Sequence, residues 1–175
     1  MTQTKDRAWI RQVLERHERP LVQYAARLLR DVERARDVVQ ETFLRLCKQE
    51  RADVDGHVEV WLFTVCRNLC NDSRRKESRM TELDDERVEG AVGTFSGPAE
   101  VAAQKDSHAQ LLDMIASLPD KQQEVLRLKF QHGLSYKEIS RVTQDSLGNV
   151  GWLLHTGLKS LRERMGTGEA RGAQA

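Results

Sequence analysis

Residues Ser135–Met165 read SYKEISRVTQDSLGNVGWLLHTGLKSLRERM. Ser135, followed three residues later by Glu138, has the form of a capping box. The hydroxyl takes the amide of the first turn, and the carboxylate returns to the cap amide. A helix therefore starts here and ends near Thr143. Gln144 and Asp145 make a short turn, and Ser146 caps a last helix to Met165. On that helix Leu147, Val150, Leu154, Leu158, Leu161 and Met165 are expected to face inward. Asn149, Trp152, Thr156, Lys159 and Ser160 form the outward face, with His155 beside it. Two helices joined by a tight turn have helix-turn-helix proportions, although any pair of antiparallel helices packs similarly.

Upstream, Pro119 and Asp120 open another helix, which ends at His132-Gly133 with Gly133 as the cap. Helical periodicity also covers Val101–Ser117. Before it, Glu82–Pro98 is acidic and then rich in Gly and small residues, which predicts a flexible linker. Still earlier, a helix is expected from about His57 to Arg79, apolar along Val58, Trp61, Leu62, Val65 and Leu69. It ends in Arg74, Arg75, Lys76 and Arg79. Gln49–Gly56 is polar and turn-like. Asp31 is a fair N-cap for a helix from Val32 to about Lys48, whose stripe is Ala35, Val39, Thr42, Phe43 and Leu46. Ile10, Val13, Leu14 and His17 recur at helical spacing. Pro20 interrupts them and is expected to start a second helix through Leu29. No strand alternation occurs. The expected fold is all-α: two small helical domains over 5–79 and 107–165, a flexible acidic linker over 80–106, and a disordered tail over 166–175.

Charge follows the same division. The chain has 175 residues and a net charge of +1, which by itself says nothing about nucleic acid. Residues 1–79 carry 17 Lys and Arg against 13 Asp and Glu, residues 80–117 carry 2 against 8, and residues 118–165 carry 8 against 5. Two mildly basic blocks flanking an acidic middle suggest two polyanion-binding domains. The three cysteines are too few for a disulfide scaffold and fit a reducing compartment. Cys66 and Cys70 lie one turn apart, and a zinc site would need them to converge with Cys47 and His57. Three small buried hydrophobes are the simpler reading. There is no signal-peptide core, no bilayer-length apolar run, no Gly-rich phosphate loop and no nucleophile-base spacing. The protein is expected to be cytoplasmic, with no membrane insertion, no cofactor, no metal and no enzymatic activity.

Three stretches carry a more specific likeness. DVERARDVVQETFLRL at Asp31–Leu46 resembles the polymerase-clamp-binding part of region 2 in extracytoplasmic-function (ECF) sigma factors of the sigma-70 family. VWLFTVCRNLCNDSRRK at Val60–Lys76 looks like that region's promoter-melting and −10-reading part. LPDKQQEVLRLKFQHGLSYKEISRVTQDSLGNV at Leu118–Val150 looks like region 4, which binds the −35 element. The resemblance covers about Trp9–Arg79 and Ser107–Arg164, in the family's order.

The resemblance implies a transcription initiation factor whose partners are core RNA polymerase and promoter DNA. It leaves open whether an anti-sigma factor is a third. Arg34, Asp37, Gln40, Glu41 and Leu44 then face the polymerase, with Leu44 as the apolar centre of a polar contact. Trp61, Arg67, Asn68, Asp72, Arg74 and Arg75 serve the −10 element. Asn and Asp offer hydrogen bonds to a flipped base, and the arginines hold backbone. Trp61 also lies in the apolar stripe, where a core role is the simpler one. Ser135, Tyr136, Lys137, Arg141, Ser146, Asn149, Trp152, His155, Thr156, Lys159 and Arg162 serve the −35 element.

One departure stands out. Family members commonly carry basic residues early in the recognition helix, where this chain has Gly151, Trp152, Leu153 and Thr156. Phosphate attraction must then come from Lys137, Arg141, Lys159 and Arg162. Asn149 suits a bidentate pair with adenine and is expected to carry the −35 contact, and Trp152 beside it suits either a thymine methyl or a protein partner. Two other readings stay open at this point. One is a plain helix-turn-helix regulator, which has no need of the Val60–Lys76 helix. The other is a polymerase-binding adaptor without sigma activity.

Overall fold

Asp31 ends one helix by starting the next. Arg30 takes a left-handed φ of 56°, and its N–H closes on the Ala26 carbonyl at 2.8 Å. Asp31 is extended, and its carboxylate accepts the Arg34 N–H at 3.1 Å. This junction separates α1 (Thr2–Leu29) from α2 (Val32–Leu46). The computed structural model describes the backbone of residues 2–83 and 111–172, and the side chains of residues 7–80 and 111–165. The chain forms two compact units, Met1–Thr94 and Phe95–Ala175.

In the first unit α1, α2 and α4 (Val58–Leu83) pack against one another, with the short α3 (Arg51–Val54) between α2 and α4. Leu21, Ala25, Ala35, Leu46, Leu62, Phe63, Cys66 and Cys70 are fully buried. Tyr24 meets Phe63 edge to face at 5.1 Å, the geometry that aromatic quadrupoles favour.

Pro20 does not start a new helix; it lies inside α1. An interior proline costs about 3 kcal/mol, because one amide bond is lost and the ring crowds the preceding turn. Val13, His17, Leu21, Tyr24, Ala25 and Leu29 form one buried face across it. At about 1.5–3 kcal/mol per fully buried large apolar side chain, that face outweighs the proline. Burial, reinforced by the neighbouring Arg16 charge, holds His17 below the ordinary histidine range.

The polar stretch 49–56 also differs from expectation. It contains α3, because Val54 turns inward and is 1% exposed. α2 ends at Leu46, not Lys48, and α4 runs to Leu83, beyond Arg79. The buried face of α4 is Val60, Leu62, Phe63, Cys66 and Cys70, whereas Trp61, Val65 and Leu69 are half-buried. α4 contacts both α1 and α2, so a wider arc is covered than one stripe would give. Cys66 and Cys70 are buried as expected, but Cys47 is exposed. It is the C-cap of α2, one residue past Leu46 and so turned off the core face.

The second unit holds helical residues 111–116, α5 (Asp120–Phe130), α6 (Tyr136–Thr143) and α7 (Leu147–Gly172). Gly133 takes a φ of +66°, which lets the Leu134 N–H return to the Leu128 carbonyl at 3.1 Å and buries Leu134. Glycine suits that left-handed position because it has no Cβ. The capping box of α6 is complete: Glu138 N–H donates to Ser135 Oγ at 3.3 Å, and Ser135 N–H donates to Glu138 Oε2 at 2.7 Å. Val125, Leu128, Ile139, Val142, Val150 and Leu154 form the core.

On α7 the inward face differs in part. Leu153 is buried, whereas Leu147 and Met165 are 48% and 53% exposed. They lie toward the ends of the packed stretch, where the neighbouring helices no longer cover them. The tail from 166, expected to be disordered, is helical through Gly172. Extending a nucleated helix adds one bond per residue fixed. The expected linker lies outside the described residues from 84 onward, as does the Val101–Ser117 helix up to residue 110. Among the described residues there is no strand, and no helix is long and apolar enough to cross a membrane.

Candidate functional surfaces

The exposed face of α2 presents Asp37, Gln40 and Leu44, with Leu44 51% exposed. Glu41 is half-buried and pairs with Arg45 at 2.9 Å, which places a neutralised pair beside the leucine. Arg34 points elsewhere. Its guanidinium reaches α4, 2.6 Å from Glu77 Oε2 and 2.9 Å from Ser73 Oγ. It therefore ties the start of α2 to the far half of α4. Ser73 and Glu77 were not singled out from the sequence. Their i, i+4 spacing on a polar helix end signals a shared face, but not which residue of α2 meets it.

Between α2 and α4 runs a shallow groove lined by Asp37, Glu41, Arg45, Asp72 and Lys76, with both charge signs present. Further along α4 a second open concavity is lined by Asn71, Arg74, Arg75, Ser78 and Arg79. It has three guanidiniums and no carboxylate. Arg75 leans toward Asp72 at 3.7 Å, a long and exposed pair of little energetic weight. Arg67 and Asn68 are half-buried, and both have interaction partners. Trp61 is half-buried two turns earlier on α4. Asn71, Ser78 and Arg79 are additions from the structure. Asn71, Arg74, Arg75 and Ser78 share the i, i+3, i+4, i+7 spacing of one helix face.

The turn between α6 and α7 is built around Asp145. Gln144 takes a left-handed φ of 60°, and Ser140 Oγ donates to the Asp145 carbonyl at 2.7 Å. The Asp145 carboxylate, 14% exposed, accepts from Lys121 Nζ at 3.1 Å and from Asn149 Nδ2 at 3.0 Å. Ser146 Oγ accepts the Asn149 N–H at 3.2 Å, which caps α7 as expected. Asp145 thus joins α5, the turn and α7. The sequence marked it only as a turn residue, because Lys121 is 24 positions away.

These bonds fix the rotation of α7. Asn149 and Thr156 are both half-buried; Asn149 is held to Asp145 in the turn, and Gln122 Nε2 of α5 donates to Thr156 Oγ1 at 3.3 Å. The exposed face is Gly148, Trp152, His155, Lys159 and Arg162. Ser160, expected on that face, is half-buried. Trp152 is 59% exposed. Tyr136, 45% exposed, borders this face through Gly151, and Lys129 Nζ lies 5.6 Å over its ring. Ser135, Lys137 and Arg141 are exposed on α6. Hydrogen bonds from the Ser135 backbone and side chain hold the Glu138 carboxyl below the usual glutamate range, helped by Arg141 and Lys129.

Comparison with known proteins gives one consistent result. The family model of Sigma-70 region 2 matches residues 13–80, and that of Sigma-70 region 4 matches residues 108–161. The ECF RNA polymerase sigma factor SigL of Mycobacterium tuberculosis is 31% identical over 157 residues, covering 89% of this chain and 88% of SigL. SigW of Bacillus subtilis, also an ECF RNA polymerase sigma factor, is 28% identical over 163 residues and 87% of each chain. The sigma factor RpoE of Bartonella quintana, crystallised with the anti-sigma factor NepR, shares the fold at a TM-score of 0.68 and 21% identity. That match covers 87% of this chain and 94% of the solved one.

Proposed function

The chain belongs to the sigma-70 family, as an ECF sigma factor that directs RNA polymerase to promoters, and we propose that three of its surfaces divide the work. Asp37, Gln40, Glu41 and Leu44 of α2 form the contact with core polymerase, and Arg34 holds that helix against α4. The α4 surface from Trp61 to Arg79 handles the −10 element. Asn68 and Asp72 take the flipped base, while Arg67, Arg74 and Arg75 hold the single strand. The exposed face of α7, with Ser135, Tyr136, Lys137 and Arg141 of α6 and the Ser146 cap, handles the −35 element.

The observation that carries this reading is the order of parts. A region 2 match is followed by a region 4 match in one chain, and each falls on a compact helical unit. A plain helix-turn-helix regulator would lack the first, and a polymerase-binding adaptor would have no use for the capped helix pair of the second. We assign residues 5–79 to region 2 and 107–165 to region 4, and place the working protein in the cytoplasm, where the polymerase is. An anti-sigma factor, of the kind bound to the Bartonella protein, is a further partner to seek by co-purification.

The test is run-off transcription from genomic fragments with core polymerase and the purified chain. Transcripts with defined starts that need both components are expected. Polymerase binding without such transcripts would leave the adaptor reading in place.

A further inference from the structure

Three glycines of α7 have different reasons to be glycine. A Cβ at Gly157 would lie 3.0 Å from Leu126 Cδ1, so close packing of α7 on α5 explains that one. A Cβ at Gly148 would meet nothing within 4 Å, and one at Gly151 would make only an ordinary contact of 3.9 Å with Tyr136. Neither takes a positive φ. Glycine inside a helix is less favourable than alanine. The packing of the fold thus gives a reason for Gly157 and none for the other two.

Both unexplained glycines fall beside Trp152. At ~100° per residue, Gly148 lies roughly 40° and Gly151 roughly 100° to one side of it, with His155 between them. Trp152 thus stands beside two positions without side chains, with His155 between them and Tyr136 next to Gly151. Lysines accompany Tyr136 and the continuation of this face along α7. Lys129 lies over Tyr136, Lys137 follows Tyr136, and Lys159 continues the exposed line of α7 beyond His155.

An apolar centre accompanied by lysines fits a polyanion whose recognised part is itself apolar. The major groove of duplex DNA has this form: phosphates flank base edges on which the thymine methyl projects. A purely apolar protein partner would leave the lysines without a purpose. We propose that this protein reads its upstream promoter element through thymine methyl groups packed against Trp152, with Gly148 and Gly151 letting the α7 backbone approach the base edges. The proposal rests on the assignment of this unit to −35 binding. It adds that the readout is led by an apolar contact, with the amide nitrogen of Asn149 tied to Asp145.

The test uses holoenzyme assembled from core polymerase and the full chain. Promoter duplexes are selected from a randomised pool, and the best is resynthesised with deoxyuridine for each thymine of the upstream element. Only the methyl groups are removed. Holoenzyme with the unchanged chain should lose roughly fourfold in affinity per contacted methyl. Holoenzyme carrying Trp152→Ala should bind thymine and deoxyuridine duplexes equally. Equal binding of both duplexes by the unchanged chain, with scrambling of the upstream element still harmful, would overturn the methyl readout and leave −35 binding intact. If scrambling the upstream element also costs nothing, both readings fail and this face is a protein-docking surface.

Discussion

α4 and α7 are each 26 residues long, and each buries one face against two other helices of its unit. Their exposed faces differ in chemistry. Beyond its buried part α4 presents Arg74, Arg75, Lys76 and Arg79. α7 presents Gly148, Trp152 and His155 before Lys159 and Arg162. A cationic face attracts any phosphate backbone, and it does so through released counterions. A face led by a glycine and a tryptophan gains less from phosphate and must match what it touches. On the proposed roles, the chain divides affinity and discrimination between two helices of similar length.

The most disruptive test addresses α2, whose proposed contact with polymerase would bring both helices to the promoter. Leu44→Asp should weaken core-polymerase binding by about 2–4 kcal/mol, since an interface would then bury an unpaired carboxylate. Helical circular dichroism should not change, because Leu44 is half exposed in the free protein. Unaltered affinity in a titration would return this face to solvent.

Base pockets and backbone contacts separate next. Asn68→Ala should change base preference at one −10 position and cost about 1–3 kcal/mol on the preferred promoter. Arg75→Ala should weaken all promoters alike and lower the slope of log affinity against log salt by about 0.7, the single-strand value. Trp152→Ala should leave that slope unchanged. If the arginine and tryptophan variants shift the slope equally, the contrast between α4 and α7 is lost.

The glycines give a smaller effect, with opposite signs. Gly151→Ala should raise thermal stability by about 0.5–1 kcal/mol, because its Cβ has room and the unfolded chain loses freedom. Gly157→Ala should lower stability, because Leu126 would have to move. Loss of stability in both variants would mean that Gly151 also serves the fold.

The smallest effect concerns pH. Glu138 titrates below its ordinary value in the folded state because the Ser135 amide and hydroxyl stabilise its carboxylate. A lowered folded pKa contributes stability above the unfolded value, and that contribution disappears as pH falls through the folded one. Glu138→Gln should therefore melt slightly below the unchanged protein at pH 7, and the gap should close on acidification below the usual glutamate range. A gap that stays constant with pH would assign the effect to helix propensity.

Local chemistry was legible without any coordinates. Asp31, Ser135 with Glu138, and Ser146 each cap a helix through a bond to a residue three positions on, so sequence spacing is enough to find them. The buried stripe of α2 also follows from one helical period, and Leu44 falls outside it by the same arithmetic. What sequence did not decide involves distant partners. Pro20 stays inside α1 because a buried face spans it, and burial depends on α2 and α4. Arg34 turns to Glu77, 43 positions away, and Asp145 gathers Lys121 and Asn149 from two helices. The rotation of α7, which sets Trp152 outward and Thr156 against α5, goes with those bonds. A helix period gives relative angles between side chains, but their absolute direction is fixed only when another helix packs against one of them.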